Sequence, residues 1–157
     1  MRLNDILKMG ICVVLLLIIG TLPQLIGSHG SDMWYESLTK PYFHPPRYIF
    51  GPVWILLYAL MGISLYLVLK AEPGPTRKWA LSLFALQLFL NFLWGILFFV
   101  FRQPEWAMME IISNWFCIVW MITTFLQIKP TAAYLQIPYL LWVTFAAILN
   151  SAIWLLN

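Results

Sequence analysis

Gln87, Asn91 and Trp94 stand at positions i, i+4 and i+7, and Trp142, Ala146 and Asn150 at i, i+4 and i+8. In a helix each trio shares one face. An amide offers hydrogen-bond donors and an acceptor, and an indole offers a broad face on which a flat, conjugated molecule stacks. The same groups have a plainer use, in which amides bond neighbouring helices and tryptophans fill space. Both readings stay open for Gln87, Asn91 and Asn150. Glu110 lies a few residues into another apolar run. A helix dipole favours a carboxylate near its amino end, and a gating or ligand-contacting role is the alternative. His29 and His44 are the only histidines, and both fall in one long connection. A haem iron takes an axial ligand of that kind, whereas a loop histidine ordinarily meets solvent or a carbonyl. No Ser-His-Asp set, carboxylate dyad, CxxC, HExxH or phosphate loop is present, so conventional hydrolytic chemistry has little support.

The elements that position these residues follow from composition. The chain has 157 residues, the size of one domain, 1–157. It is 62% hydrophobic, 17% aromatic and 10% charged, against about 25% charged in soluble domains. So few charges cannot cover so much apolar surface in water, and the remaining solvent is lipid. Five runs are long enough to cross about 30 Å of hydrocarbon, which takes about 20 apolar residues. They are 6–26, 52–69, 79–101, 106–126 and 134–156. Their continuous apolarity predicts helices, not barrel strands. Arg2 and Lys8 before the first run resemble a signal-peptide n-region, but no A-x-A pattern follows, and a retained helix is expected. Cys12 and Cys117 fall inside apolar runs and read as small buried hydrophobes.

The net charge of +3 comes from scattered cations with no basic block, which gives no support to nucleic-acid binding. Arg2, Lys8, Lys70, Arg77, Lys78 and Lys129 fall on the side of the amino end; Lys40, Arg47 and Arg102 fall on the other. The positive-inside rule then places the amino end in the cytoplasm. Three connections are short, but the first, 27–51, is long and too aromatic for disorder. Of nine tryptophans, Trp34, Trp79, Trp106 and Trp154 are expected at membrane interfaces, and Trp94, Trp115, Trp120 and Trp142 deeper. An odd number of spans does not favour the two inverted halves of a transporter.

Four stretches in order, WYESLTKPYFHPPRYIFGPVWILLYALMG (34–62), NFLWGILFF (91–99), RQPEWA (102–107) and PYLLWVTFAAILN (138–150), resemble the TspO/translocator protein family of tryptophan-rich sensory proteins. The resemblance covers nearly the whole chain, and the proline-rich first stretch is its most specific part. It implies an all-α membrane protein, a five-transmembrane-helix bundle with a long structured loop between its first two spans, often a homodimer. It further implies a receptor or sensor for tetrapyrroles such as protoporphyrin IX, and for isoquinoline-carboxamide and benzodiazepine ligands. The implied pocket lies between the first, second and fifth spans, and no cofactor is required. Carried over by motif, Tyr35, Trp54, Asn91, Trp142 and Ala146 occupy pocket positions, with Trp106 and Glu110 near it on the fourth span. Arg47 or Lys40 is expected to meet the propionates. Light-dependent breakdown of the porphyrin is a further implied activity, for which Trp142, Trp54 and Tyr35 are the candidates. Transport of porphyrins or sterols across the membrane is the alternative. Animal members carry a late L/V…Y…K/R cholesterol pattern, and here Ser151 and Leu155 stand at its Tyr and Arg positions. Weak or no sterol binding is therefore expected, as suits a bacterial member in the cell membrane.

In this reading Pro41, Pro45 and Pro46 stiffen the long connection, and Pro52 opens the second span without losing a hydrogen bond. Tyr42, Phe43, Tyr48 and Phe50 are expected to form a lid, with Trp54 beneath and His44 and Arg47 at the rim.

Overall fold

Proline sets most of the helix starts. The computed structural model describes residues 3–27 and 31–157, with side chains for 3–22 and 33–157. Arg2 and His29 lie outside the described residues. The helices are α1 (Leu3–Gly27), α2 (Ser31–Ser37), α3 (Arg47–Leu69), α4 (Pro75–Gly95), α5 (Pro104–Ile128), α6 (Pro130–Tyr134) and α7 (Ile137–Leu156). Pro75, Pro104, Pro130 and Pro138 occupy the first or second position of α4, α5, α6 and α7, where a missing N–H breaks no helical bond. A π-helical turn, Ile96–Val100, extends α4. Arg102 then takes φ 57°, the left-handed conformation that lets the chain reverse into α5.

Five helical segments are long and apolar enough to span a membrane, with α6 and α7 counted as one. α1 shows why water is not their solvent. Ile11, Val14, Leu15 and Ile18 are all exposed, and Leu16 is buried. An apolar surface on both sides of a helix is stable when one side meets protein and the other meets lipid. The protein is an integral, multi-pass membrane protein.

α1 packs on α3, α4 on α5, and α5 on α7. The α1–α3 approach depends on Gly62, where a Cβ would lie 2.6 Å from the Val13 Cα, and on Gly20, which faces the Tyr58 ring. The core runs through Met61, Phe84, Ile118, Met121, Phe125 and Tyr139.

Three local expectations are corrected. The second span begins at Arg47, five residues before 52, so Pro52 lies inside α3 and removes a helical N–H there. Gly51 precedes it, and a residue without Cβ escapes the clash that normally bars the helical conformation before proline. Tyr48 and Phe50 are consequently helical, and the expected lid divides. Tyr42 and Tyr48 point outward, 100% and 78% exposed, while Phe43 and Phe50 pack inward. Trp120, expected deep, is 55% exposed and sits edge-on to Trp79 on the outer surface.

The long connection is fastened at its far side. Asn157 accepts a hydrogen bond from the Thr39 N–H at 2.9 Å and donates one to the Thr39 carbonyl at 3.0 Å. The end of α7 thereby holds the segment between α2 and α3 over one end of the bundle.

Candidate functional site

On α3, Phe50, Trp54 and Tyr58 recur at every fourth residue and form a single aromatic stripe. On α7, Tyr139, Trp142, Phe145 and Ala146 share the facing side. The stripes meet edge to face. Trp54 and Trp142 lie 6.4 Å apart at 84°, and Phe50 meets Trp142 at 5.8 Å and 74°. Trp54 also tilts against Tyr58 at 5.6 Å, and Trp142 against Phe145 at 5.5 Å. Ala146 is partly buried one turn beyond Trp142.

Below this wall lies a buried polar knot. The Tyr58 hydroxyl donates to the Asn91 Oδ1 at 2.7 Å, and the Asn91 Nδ2 donates to the Tyr139 hydroxyl at 3.1 Å. The Asn114 Nδ2 donates to the same hydroxyl at 3.3 Å. Asn91 thus joins α3, α4 and α7, and its oxygen has a protein partner. Nearby on α5, Glu110 is 7% exposed. Both its carboxylate oxygens are buried without a hydrogen-bond partner. The carboxyl group faces the protein interior, the arrangement expected where a polar group of a ligand or a water completes the site.

Above the wall, the connection contributes Tyr35 and His44, whose hydroxyl and Nε2 are 2.6 Å apart. Burial and the neighbouring Lys40 ammonium hold the His44 imidazole below its ordinary pKa of 6.5. Burial pushes the Tyr35 hydroxyl up from 10.0 to about 12, against a smaller opposing pull from Arg47. Near neutral pH the Tyr35 hydroxyl therefore donates to an unprotonated Nε2. Lys40 Nζ sits 5.0 Å from the Tyr35 ring centroid, a cation–π distance. Arg47 is held by Glu36 at 3.0 Å on the exposed rim.

The π turn re-aims two more rings. Phe98 and Phe99 lie 6.1 and 5.8 Å from Tyr35, and Trp94 stacks on Phe98 at 5.3 Å. Trp94 also donates to the Asn150 Oδ1 at 3.2 Å, while the Asn150 Nδ2 donates to the Pro104 carbonyl at 2.8 Å. Asn150 therefore fastens α4 and the start of α5 to α7.

Of the residues singled out from sequence, the fold brings Trp54, Trp142, Ala146 and Asn91 to one region and places Tyr35 above it, joined through His44 and Phe50. Trp106 is not among them: it is 58% exposed on the outer face of α5. Gln87 is fully buried, with neither amide atom bonded. Tyr58, Tyr139 and Asn114 were missed. Tyr58 follows Trp54 by four residues, and Asn114 follows Glu110 by four, which is the spacing that identifies a shared face. The π turn had no signal of that kind. Among the described residues, no three His, Cys, Asp or Glu side chains come together as a metal site.

Comparison with known proteins adds an independent finding. Residues 12–155 match the family model described as the TspO/MBR family. The chain is 37% identical to the tryptophan-rich protein TspO of Archaeoglobus fulgidus, over 98% of its own length and 99% of that protein. It is 40% identical to the translocator protein of Homo sapiens, over 80% of this chain and 76% of that one. It is 34% identical to the tryptophan-rich sensory protein of Cereibacter sphaeroides, over 76% and 73% of the respective lengths.

Proposed function

The chain belongs to the TspO/MBR family, and from that premise we propose that it is a membrane receptor for tetrapyrroles, with protoporphyrin IX as the ligand class. The observation that carries this reading is the run of rings from Tyr35 through His44, Phe50 and Trp142 to Trp54, with centroid spacings of 5.8, 5.9, 5.8 and 6.4 Å. A flat, apolar macrocycle gains most from such a wall, because stacking and area burial act together. Lys40 and Arg47 lie at the open rim, where the two propionates of the ligand would emerge. Isoquinoline-carboxamide and benzodiazepine-type molecules suit the same wall through their aromatic rings, whereas sterols lack the faces to stack.

The test is a titration of the detergent-solubilised protein with protoporphyrin IX, followed by tryptophan fluorescence. Replacing both indoles in Trp54→Phe/Trp142→Phe should weaken binding at least tenfold. Equal affinity in the double variant would remove the pocket from consideration.

A second reading, light-dependent breakdown of the bound porphyrin, is favoured by one observation. Trp54 lies beside Tyr58 and 6.5 Å from Tyr139, whose hydroxyls are hydrogen-bonded through Asn91. Light and dioxygen supply the oxidation, and the protein's part is to position the macrocycle beside oxidisable side chains. Absorption spectra in light and darkness separate the two activities. Porphyrin loss as rapid in detergent alone, or with Trp142→Phe, leaves binding as the function.

A further inference from the structure

Among the described residues, nine buried side-chain nitrogen and oxygen atoms have no hydrogen-bond partner, and seven of them belong to Gln87, Glu110, Asn114 and Gln136. Scattered through the bundle, such atoms would be unrelated; these four residues converge. Gln87 lies one turn before Asn91 on α4, Glu110 one turn before Asn114 on α5, and Gln136 three residues before Tyr139 at the start of α7. The Tyr139 hydroxyl gathers the three faces, because Asn91 and Asn114 both donate to it, at 3.1 and 3.3 Å. α4 and α5 run antiparallel, and the Cys117 thiol donates to the Leu83 carbonyl at 3.7 Å. One turn along from that contact Gln87 comes level with Asn114, and a turn further Asn91 comes level with Glu110.

The outcome is a polar column inside an otherwise apolar core. It starts at Glu110, beside the floor of the aromatic wall, and descends through Asn114 and Gln87 toward Gln136, where α6 joins α7. Asn157 holds the end of α7 at the long connection, so Gln136 lies toward the opposite end of the bundle. Gln87 and Gln136 are fully buried, and Asn114 and Glu110 are nearly so. Ser64 is the contrast: it is buried too, but its hydroxyl closes on the Ala132 carbonyl at 2.7 Å and needs nothing further.

The seven atoms specify what completes them. The Gln87 and Gln136 Nε2 atoms donate, whereas the Gln87 and Gln136 Oε1 and Asn114 Oδ1 atoms accept. A metal ion would suit the oxygens and leave both nitrogens unmatched. An apolar ligand would leave all seven unsatisfied. Water donates and accepts, and a protein interior holds it where two to four polar partners surround it. Residues one turn apart are separated by about 5.4 Å, which one water spans with two hydrogen bonds of about 2.8 Å.

We propose that Gln87, Asn114 and Gln136 hold a chain of bound water that reaches the Glu110 carboxyl from the end of the bundle opposite the long connection, and that this chain is the carboxyl's route for exchanging its proton. The carboxyl passes its proton to the adjacent water, that water passes one of its own to the next, and the last releases one at the turn between α6 and α7. Uptake runs in reverse. An ionisable group within a membrane bundle depends on such a relay to meet solvent. The inference involves no ligand at the aromatic wall.

The tests use the full chain in lipid bilayers without added ligand. In water-edited solid-state NMR, magnetisation from water should reach the side-chain amides of Gln87, Asn114 and Gln136 as fast as that of exposed Gln103, and the buried Met121 methyl about tenfold more slowly. Build-up at the three amides as slow as at Met121 would overturn the water chain. Infrared absorption reads the proton. At acid pH the Glu110 carboxyl band, identified by its loss in Glu110→Gln, should shift within the mixing time on transfer to heavy water, and about tenfold more slowly in Gln87→Leu/Gln136→Leu. Equal rates would overturn the route. If the double variant fails to fold, as judged by its helical circular dichroism, Gln136→Leu alone should slow the shift about threefold, and an unchanged rate there overturns the route equally. Gln103→Leu, on the surface, should leave the rate as it is; slowing equal to that of the column variants would mean general tightening of the bundle and would also overturn the route.

Discussion

Asn91 shows how one side chain acquires two roles. Its amide accepts from Tyr58 and donates to Tyr139, so it holds α3, α4 and α7 together at the floor of the aromatic wall. Tyr58→Phe removes the donor and leaves the buried Asn91 oxygen unmatched, which costs about 1–2 kcal/mol in a membrane interior. Reversible unfolding in mixed micelles should register that loss, with Trp54 fluorescence altered at the same time. The Tyr35–His44 pair predicts a pH dependence. His44 has a folded pKa below 6.5, so the unfolded chain binds more protons between that lowered value and 6.5. Its contribution to stability is therefore complete above 6.5 and is lost as pH falls through the window. Tyr35 acts at the other extreme: its pKa rises from 10.0 to about 12, and its contribution is present below 10.0 and lost toward 12. Thermal melting across pH should show both flanks. His44→Phe should flatten the acidic one, and an unchanged acidic flank in that variant would assign it to another group.

Among the elements, α1 and α3 depend on closeness that glycine allows. Gly62→Val places a branched side chain where even a Cβ lies 2.6 Å from the Val13 backbone, and overpacking of this kind costs about 1–3 kcal/mol. Gly10→Ala meets nothing within 4 Å and should be neutral or slightly stabilising. Melting temperatures of the two variants separate packing from propensity. The segment between α2 and α3 has its own fastener in Asn157. Asn157→Ala frees both backbone groups of Thr39, and hydrogen exchange at 38–44 should accelerate while the spans stay protected. The extension of α3 back to Arg47 and the π turn of α4 belong to this scale too. Both shift which aromatic rings face the site, moving Tyr48 out and bringing Phe98 and Phe99 against Tyr35.

For the whole molecule, the two ends of the bundle differ in chemistry. One carries the aromatic cover fastened by Asn157, the other the turn between α3 and α4, where Lys70, Glu72, Arg77 and Lys78 follow in sequence. Single cysteines introduced as Tyr42→Cys and Glu72→Cys, with Cys12 and Cys117 replaced by alanine, should react with an impermeant maleimide from opposite sides of a sealed membrane. The charge bias predicts that Tyr42→Cys is labelled from outside. Labelling of both from one side would contradict the five-span arrangement. The number of spans, their approximate limits and the membrane as solvent were legible in sequence, because hydrophobicity per residue is additive and needs no partner. Helix phase was legible for two trios, Asn91 with Gln87 and Trp94, and Trp142 with Ala146 and Asn150, whereas Trp54 was picked out by motif alone. The helix start at Arg47 escaped, since Gly51 relieves a clash that proline usually imposes. The pairing of Asn91 with Tyr58 and Tyr139, the outward turn of Trp106 and the burial of Glu110 were decided by tertiary structure alone. Each depends on how one helix is rotated against its neighbours, and in an all-round apolar span the sequence specifies that rotation weakly until the helices pack.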